Sequence, residues 1–168
     1  MDCRLLACAL AGGIVGLDRL TKLWIEANVE IYGTVPVLPG LFDIVHTQNR
    51  GIAFGLFAEG GGAWRRTLLT AVAFLVLSGV AALIWRLPRD YAARPVWSAA
   101  SLGLILGGAV GNLYDRVVRG SVTDFLDVYV GEHHWPAFNV ADSAITVGAA
   151  LLALGMLRSP RPEERHAP

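Results

Sequence analysis

Recurring apolar runs constrain this chain more than any other feature. About 20 predominantly apolar residues are needed to cross the hydrocarbon layer of a bilayer. Four segments meet that length, at about 5–27, 67–87, 96–119 and 138–157. The charge content agrees: 17% of residues are charged, against roughly 25% in soluble domains, too few to coat a water-exposed globule. The formal net charge is zero, with no basic patch that would suit nucleic acid. The 168 residues fit one domain, and the class is an α-helical integral membrane protein with four transmembrane helices.

The loops between these spans set orientation and suggest a second layer. Arg86, Arg89 and Arg94 crowd one short connection, Arg158, Arg161 and Arg165 follow the last span, and Arg4 precedes the first. Basic residues favour the cytoplasmic side, so both termini are expected in the cytoplasm and the other two loops outside. The first span continues into Asp18-Arg19-Leu20-Thr21-Lys22 without a small-x-small cleavage site, so it reads as retained. The long outer loop, about 28–66, mixes β-branched and aromatic residues with Pro and Gly turns. It reads as a small β-rich platform, with Gly51–Phe57 as an interfacial strand or short helix. The second outer segment, about 120–137, reads as a shorter connection, and the tail 158–168 as disordered. Cys3 and Cys8 lie together at the N-terminus, far from any acidic residue cluster, and read as packing residues rather than metal ligands or nucleophiles.

Depth along the helices, at about 1.5 Å per residue, gathers the ionisable groups in one layer. Asp18 and Lys22 fall in the outer half of the first span. Asn112, Asp115 and Arg116 fall near the outer end of the third, and Asn139 and Asp142 in the first turns of the fourth. Ionisable residues inside spans mark functional sites by default. Spacing assigns some of them to support: Asp18 and Lys22 are four apart in the favourable acid-first order, as are Asp115 and Arg119. Asp18, Lys22 and Asp115 therefore read as a neutralising scaffold. Arg116 either pairs with Asp115 or holds a substrate carbonyl.

Asp124 and Asp142 differ, because neither has a cation three or four residues away. Both are expected at the outer ends of consecutive antiparallel helices, where their carboxyl groups can meet. Two carboxylates that close share a proton; one can then deprotonate a water while the other polarises a peptide carbonyl. Other chemistries fit less well. His133 and His134 are adjacent and cannot both face one site on a regular strand, so with Asp124 and Asp127 they make only a loose metal site. Asp127 itself reads as a solvated loop charge. Ser121, Thr123 and Ser143 lack a base in reach. Gly107, Gly108 and Gly111 suit close helix packing better than phosphate binding. A proton- or ion-coupled transporter would place its carboxylates near the midplane between repeats, and no repeat is present; a non-catalytic assembly factor would need no acid pair.

Four blocks in this order resemble a known family. They are Asp18-Arg19-Leu20-Thr21-Lys22, Gln48 to Gly55, Gly107 to Arg116 followed by Gly120 to Phe125, and Phe138-Asn139-Val140-Ala141-Asp142-Ser143. They are similar to the D-x-x-[ST]-K, N-x-G-x-A-F, G-N-x-x-D-R with V-x-D-F, and F-N-x-A-D-S signatures of bacterial lipoprotein signal peptidase, or signal peptidase II. The resemblance implies an aspartyl endopeptidase of the bacterial inner membrane that needs no cofactor and no metal. It would act near the outer leaflet on diacylglyceryl-modified prolipoproteins, cutting before the lipidated cysteine. It carries the dyad to Asp124 and Asp142, and substrate-contacting or dyad-bracing roles to Asn49, Asn112, Arg116 and Asn139. It also implies a β-cradle with a short clamping helix, a monomer in contact with membrane lipid, and inhibition by the cyclic peptide globomycin. Arg50 and Gly55 depart from residues frequent in the family, in the clamping segment.

Overall fold

The computed structural model describes residues 2–49, 63–87 and 95–157. Among them are four α-helices: α1 (Cys3–Asn28), α2 (Ala63–Trp85), α3 (Pro95–Tyr114) and α4 (Val140–Leu157). Two of the starts have a plain local cause. The Asp2 side chain accepts from the Arg4 N–H at the head of α1, and Pro95 occupies the first position of α3, where its missing N–H costs nothing. Helix α3 runs on as a π-helical turn, Asp115–Arg119, and stops at Gly120, whose φ of 81° is the left-handed conformation that lets the chain turn away.

Helix α3 is the centre of the bundle, packed between α1 and α4 with α2 alongside. Small residues allow the close approach. A Cβ on Gly103 or Gly107 would lie 2.7 Å from a backbone carbonyl oxygen of α1, at Ala7 or Ala11, and one on Gly148 of α4 would lie 2.7 Å from the Ser101 carbonyl of α3. Such small-residue seams let apolar helices associate where no water drives them together. The segments 96–119 and 140–157 are long and apolar enough to cross a membrane, and Thr70–Trp85 is a shorter apolar helix. Large side chains such as Leu75, Trp85, Trp97 and Leu157 face outward, as a lipid-facing surface requires. Helix α1 has the length, 26 residues, but Asp18, Arg19, Lys22 and Glu26 interrupt its apolar run.

At one end of the bundle sits an antiparallel sheet in the order β1 (Thr34–Leu38), β2 (Phe42–Asn49), β3 (Val122–Val130), β4 (His133–His134). The first two strands come from the long loop, as expected. The segment 120–137, expected to be a plain connection, instead supplies β3, the longest strand at nine residues. Its sequence hides this: Asp124 and Asp127 break the alternation of apolar and polar residues, and both faces of the strand's first half are buried. Phe125 packs with Ile25 of α1 and Val29 just beyond its end, and Ile44, Leu126 and Val140 close the cluster, so the sheet is seated on α1 and the head of α4. The segment Gly51–Phe57, the arginine-bearing connection at 88–94 and the tail 158–168 lie outside the described residues.

Candidate active site

The polar layer expected near one end of the helices is built around Lys22. Its ammonium is fully buried, 2.7 Å from Asp18 Oδ2 and 2.7 Å from Asp115 Oδ2, and donates to Asn112 Oδ1 at 3.2 Å. A buried cation survives only with such partners. Asp18 also ties two helices together, because its Oδ1 accepts the Ala141 backbone N–H at 2.9 Å and so binds α1 to the first turn of α4. Gly111 makes room for it, since a Cβ there would stand 2.8 Å from Asp18 Oδ2. Asp115 is held from a second side by Arg19 Nη1 at 3.3 Å. The predicted Asp115–Arg119 pairing is replaced, because Asp115 faces into α1 and takes its cations there, while Arg119 reaches sideways to Glu26.

Above this scaffold the helix cap and the acid pair are one structure. Asn139 precedes the first residue of α4, and its Oδ1 accepts the Asp142 N–H at 2.9 Å; Asp142 Oδ2 returns to the Asn139 N–H at 3.3 Å. This is a capping box with aspartate in place of glutamate. The Asn139 side-chain amide donates to Asp124 Oδ1 at 2.6 Å and lies 3.3 Å from Asn112 Oδ1. Asn112 Nδ2 donates to Asp142 Oδ1 at 2.7 Å, and Asn49 Nδ2 to Asp124 Oδ2 at 3.0 Å. Each carboxylate thus receives an asparagine amide, and Asn139 touches both.

Asp124 is placed by a strand rather than by a helix end, which corrects the expected position. It lies opposite Thr47 of β2, whose Oγ1 donates to the Asp124 carbonyl at 3.2 Å. The strand carries its carboxyl group to the N-terminus of α4, within reach of Asn139. Burial, and then the neighbouring negative charge of Asp142, push the Asp124 carboxyl up from 3.8 to about 6. Both aspartates open onto a cavity of about 850 Å³ that Asn49 and Arg116 also line, with Trp135, Pro136, Phe138, Ile145 and Val147 among its walls. Arg116 donates to the Asn112 carbonyl at 3.2 Å, lines the cavity and makes no ion pair with Asp115 among the described residues.

The family model described as "Signal peptidase (SPase) II" matches residues 10–158. The chain belongs to the signal peptidase II family. A lipoprotein signal peptidase of Solibacter usitatus is 47% identical, over 95% of this chain and 95% of its own length; one from Geobacter sulfurreducens is 46% identical, over 98% and 97%. A solved bacterial membrane enzyme superposes with a TM-score of 0.77 at 25% identity, covering 92% of this chain and 94% of its own. A second gives 0.76 at 27% identity, with 90% and 87% covered. This chain is a membrane protein of a peptidase family.

Within the signal peptidase II frame, every sequence-predicted site residue inside the described region reaches the one cluster. Asn49, Asn112, Asp124, Asn139 and Asp142 are joined by hydrogen bonds, with Asp18, Lys22 and Asp115 beneath them. Asp127 is not the solvated charge expected: it is 9% exposed and lies 2.8 Å from His134 Nδ1, with the His134 ring stacked on Tyr129. His133 and His134 therefore belong to the edge of the sheet. Sequence reasoning missed Glu26 and Arg19, because Asp115, Arg119 and Thr123, with which they bond, are more than 90 positions away and only the fold brings them close.

Proposed function

We propose that this chain is a membrane-embedded aspartyl endopeptidase that removes signal peptides from diacylglyceryl-modified prolipoproteins, cutting before the lipidated cysteine. One observation carries the reading: two carboxyl groups from different elements, Asp124 and Asp142, accept from the side-chain amide and the backbone N–H of the same residue, Asn139, and face one cavity. A water held between them loses its proton to one carboxylate as it attacks the scissile carbonyl, which the protonated partner polarises; the proton then passes to the leaving amine. Asp142 suits the ionised role, lying in the first turn of α4, where the helix N-terminus favours negative charge. Asp124, which holds its proton up to about pH 6, suits the protonated one. Asn49, Asn112, Arg116 and Asn139 brace the pair or bind the substrate backbone, and Asp18, Lys22 and Asp115 support them.

The architecture supports a consistent placement. As a single domain with four helices crossing the bacterial inner membrane and both termini cytoplasmic, the site lies near the outer leaflet, where water and a lipid-anchored scissile bond meet. A monomer suffices, since both carboxyl groups come from one chain, and globomycin should inhibit by occupying the cavity. The test is cleavage of a diacylated precursor by Asp124→Asn, Asp142→Asn and Asp115→Asn. The first two should lose processing entirely while remaining folded and inserted; the third should mainly lose stability. Normal processing by either dyad variant would sink the mechanism, and cleavage of unlipidated precursor at the same rate would sink the substrate assignment.

A further inference from the structure

Outside the dyad and its scaffold, a second polar network joins the last turns of α1 to the start of β3. Glu26 is its hub. Its Oε1 accepts from Arg119, at the end of the π-helical turn, and from Thr123 Oγ1 at 2.9 Å; its Oε2 lies 4.0 Å from Arg19 Nη2. Arg19 in turn holds Asp115, so the network runs from the buried scaffold out to the strand. Thr123 is 3% exposed, and its hydroxyl meets a carboxylate that is itself mostly covered, at 18% exposure.

Position on the strand gives this contact its importance. Successive strand side chains point to opposite faces, so Thr123 and Phe125 face α1 while Asp124, between them, faces the cavity. Phe125 is fixed by Ile25 and Val29, and Thr123 by Glu26. On its other side the Thr123 carbonyl takes the Asn139 amide that also reaches Asp124. Strand β4 pairs only with the far end of β3, at Tyr129 and Val130, so it gives no support here.

Resting on the proposed peptidase reading, we infer that Glu26 is a positioning residue that sets the height of Asp124 over Asp142 through Thr123 and Arg119. It touches neither substrate nor the reacting atoms. Its effect falls on the rate of the chemical step, because a carboxyl displaced by a fraction of an ångström still leaves the rest of the cavity wall in place.

The test uses the full-length enzyme in detergent or proteoliposomes with a diacylated precursor. Glu26→Ala and Thr123→Val should lower kcat on the order of 10- to 100-fold, with KM held within about twofold. The basic limb of the kcat/KM pH profile should move in both. Thr123→Ser, which keeps the hydroxyl, should retain kcat. Because Thr123→Val preserves side-chain shape, its folded fraction, read by thermal unfolding, should match the parent. Full kcat in Glu26→Ala and Thr123→Val, a loss confined to KM or to the folded fraction, or a Thr123→Ser as slow as Thr123→Val would each overturn the inference. Asp124→Asn run alongside separates the levels. If it cleaves, the peptidase mechanism itself fails; if it is inactive while Glu26→Ala is at full speed, only the positioning role fails.

Discussion

Asp124 occupies a position where a carboxylate is costly. Its carboxyl is raised from 3.8 to about 6, first by burial and then by Asp142. Between those values the folded protein holds a proton that the unfolded chain releases, so raising the pH through this window destabilises the fold. The penalty is absent below about pH 4 and complete above about pH 6. Removing the charge should therefore stabilise. Asp124→Asn is expected to gain on the order of 1 to 3 kcal/mol at pH 7 and nothing below the window, measured by thermal or denaturant unfolding at the two pH values, while losing all cleavage. On the proposed mechanism, function and stability oppose each other at this residue. The same titration should appear in catalysis: kcat/KM should fall along a basic limb with an apparent pKa of about 6, a value belonging to the coupled pair. A flat profile from pH 5 to 8 would contradict a shared proton.

At the scale of elements, α4 and β3 meet through Asn139, which with one side chain caps the helix and donates to Asp124. These roles can be separated. Asn139→Ser keeps an N-cap acceptor of equal quality but has no amide to donate to Asp124. It should unfold within about 1 kcal/mol of the parent and yet cleave at least 100-fold more slowly. Asn139→Ala should lose both, with about 1 kcal/mol of stability from the cap. How much of this was legible in the sequence depended on how local each signal is. The helices were plain from apolar length, and the Asp18–Lys22 pairing from its spacing. The capping box was present as Asn139 and Asp142, three apart, but could be read only as motif. Strand β3 was obscured by its acidic residues, and the Glu26 contacts have no local signature, since they depend on how far α1 overlaps the sheet.

The whole molecule is organised around one ammonium group. Lys22 joins α1 to α3 through Asp115 and Asn112, and its partner Asp18 joins α1 to α4. Lys22→Met would leave Asp18 and Asp115 facing each other without their shared cation. A loss of about 3 to 5 kcal/mol is expected, seen as a lowered unfolding temperature and early proteolysis, with activity lost in proportion to folded protein. Lys22→Arg should not rescue it, because a planar fork does not reproduce the three contacts that Asp18, Asp115 and Asn112 make with one fully buried ammonium nitrogen. The apolar helices supply area, but this buried node fixes which faces meet. The capping box has a further consequence, for the emergence of drug resistance. A compound that grips Asp142 and Asn139 through their shared hydrogen bonds contacts the residues that begin α4. On the proposed mechanism, mutants that evade it there would forfeit catalysis along with the helix start, which leaves the cavity walls, at residues such as Gln48 and Thr146, as the open routes of escape.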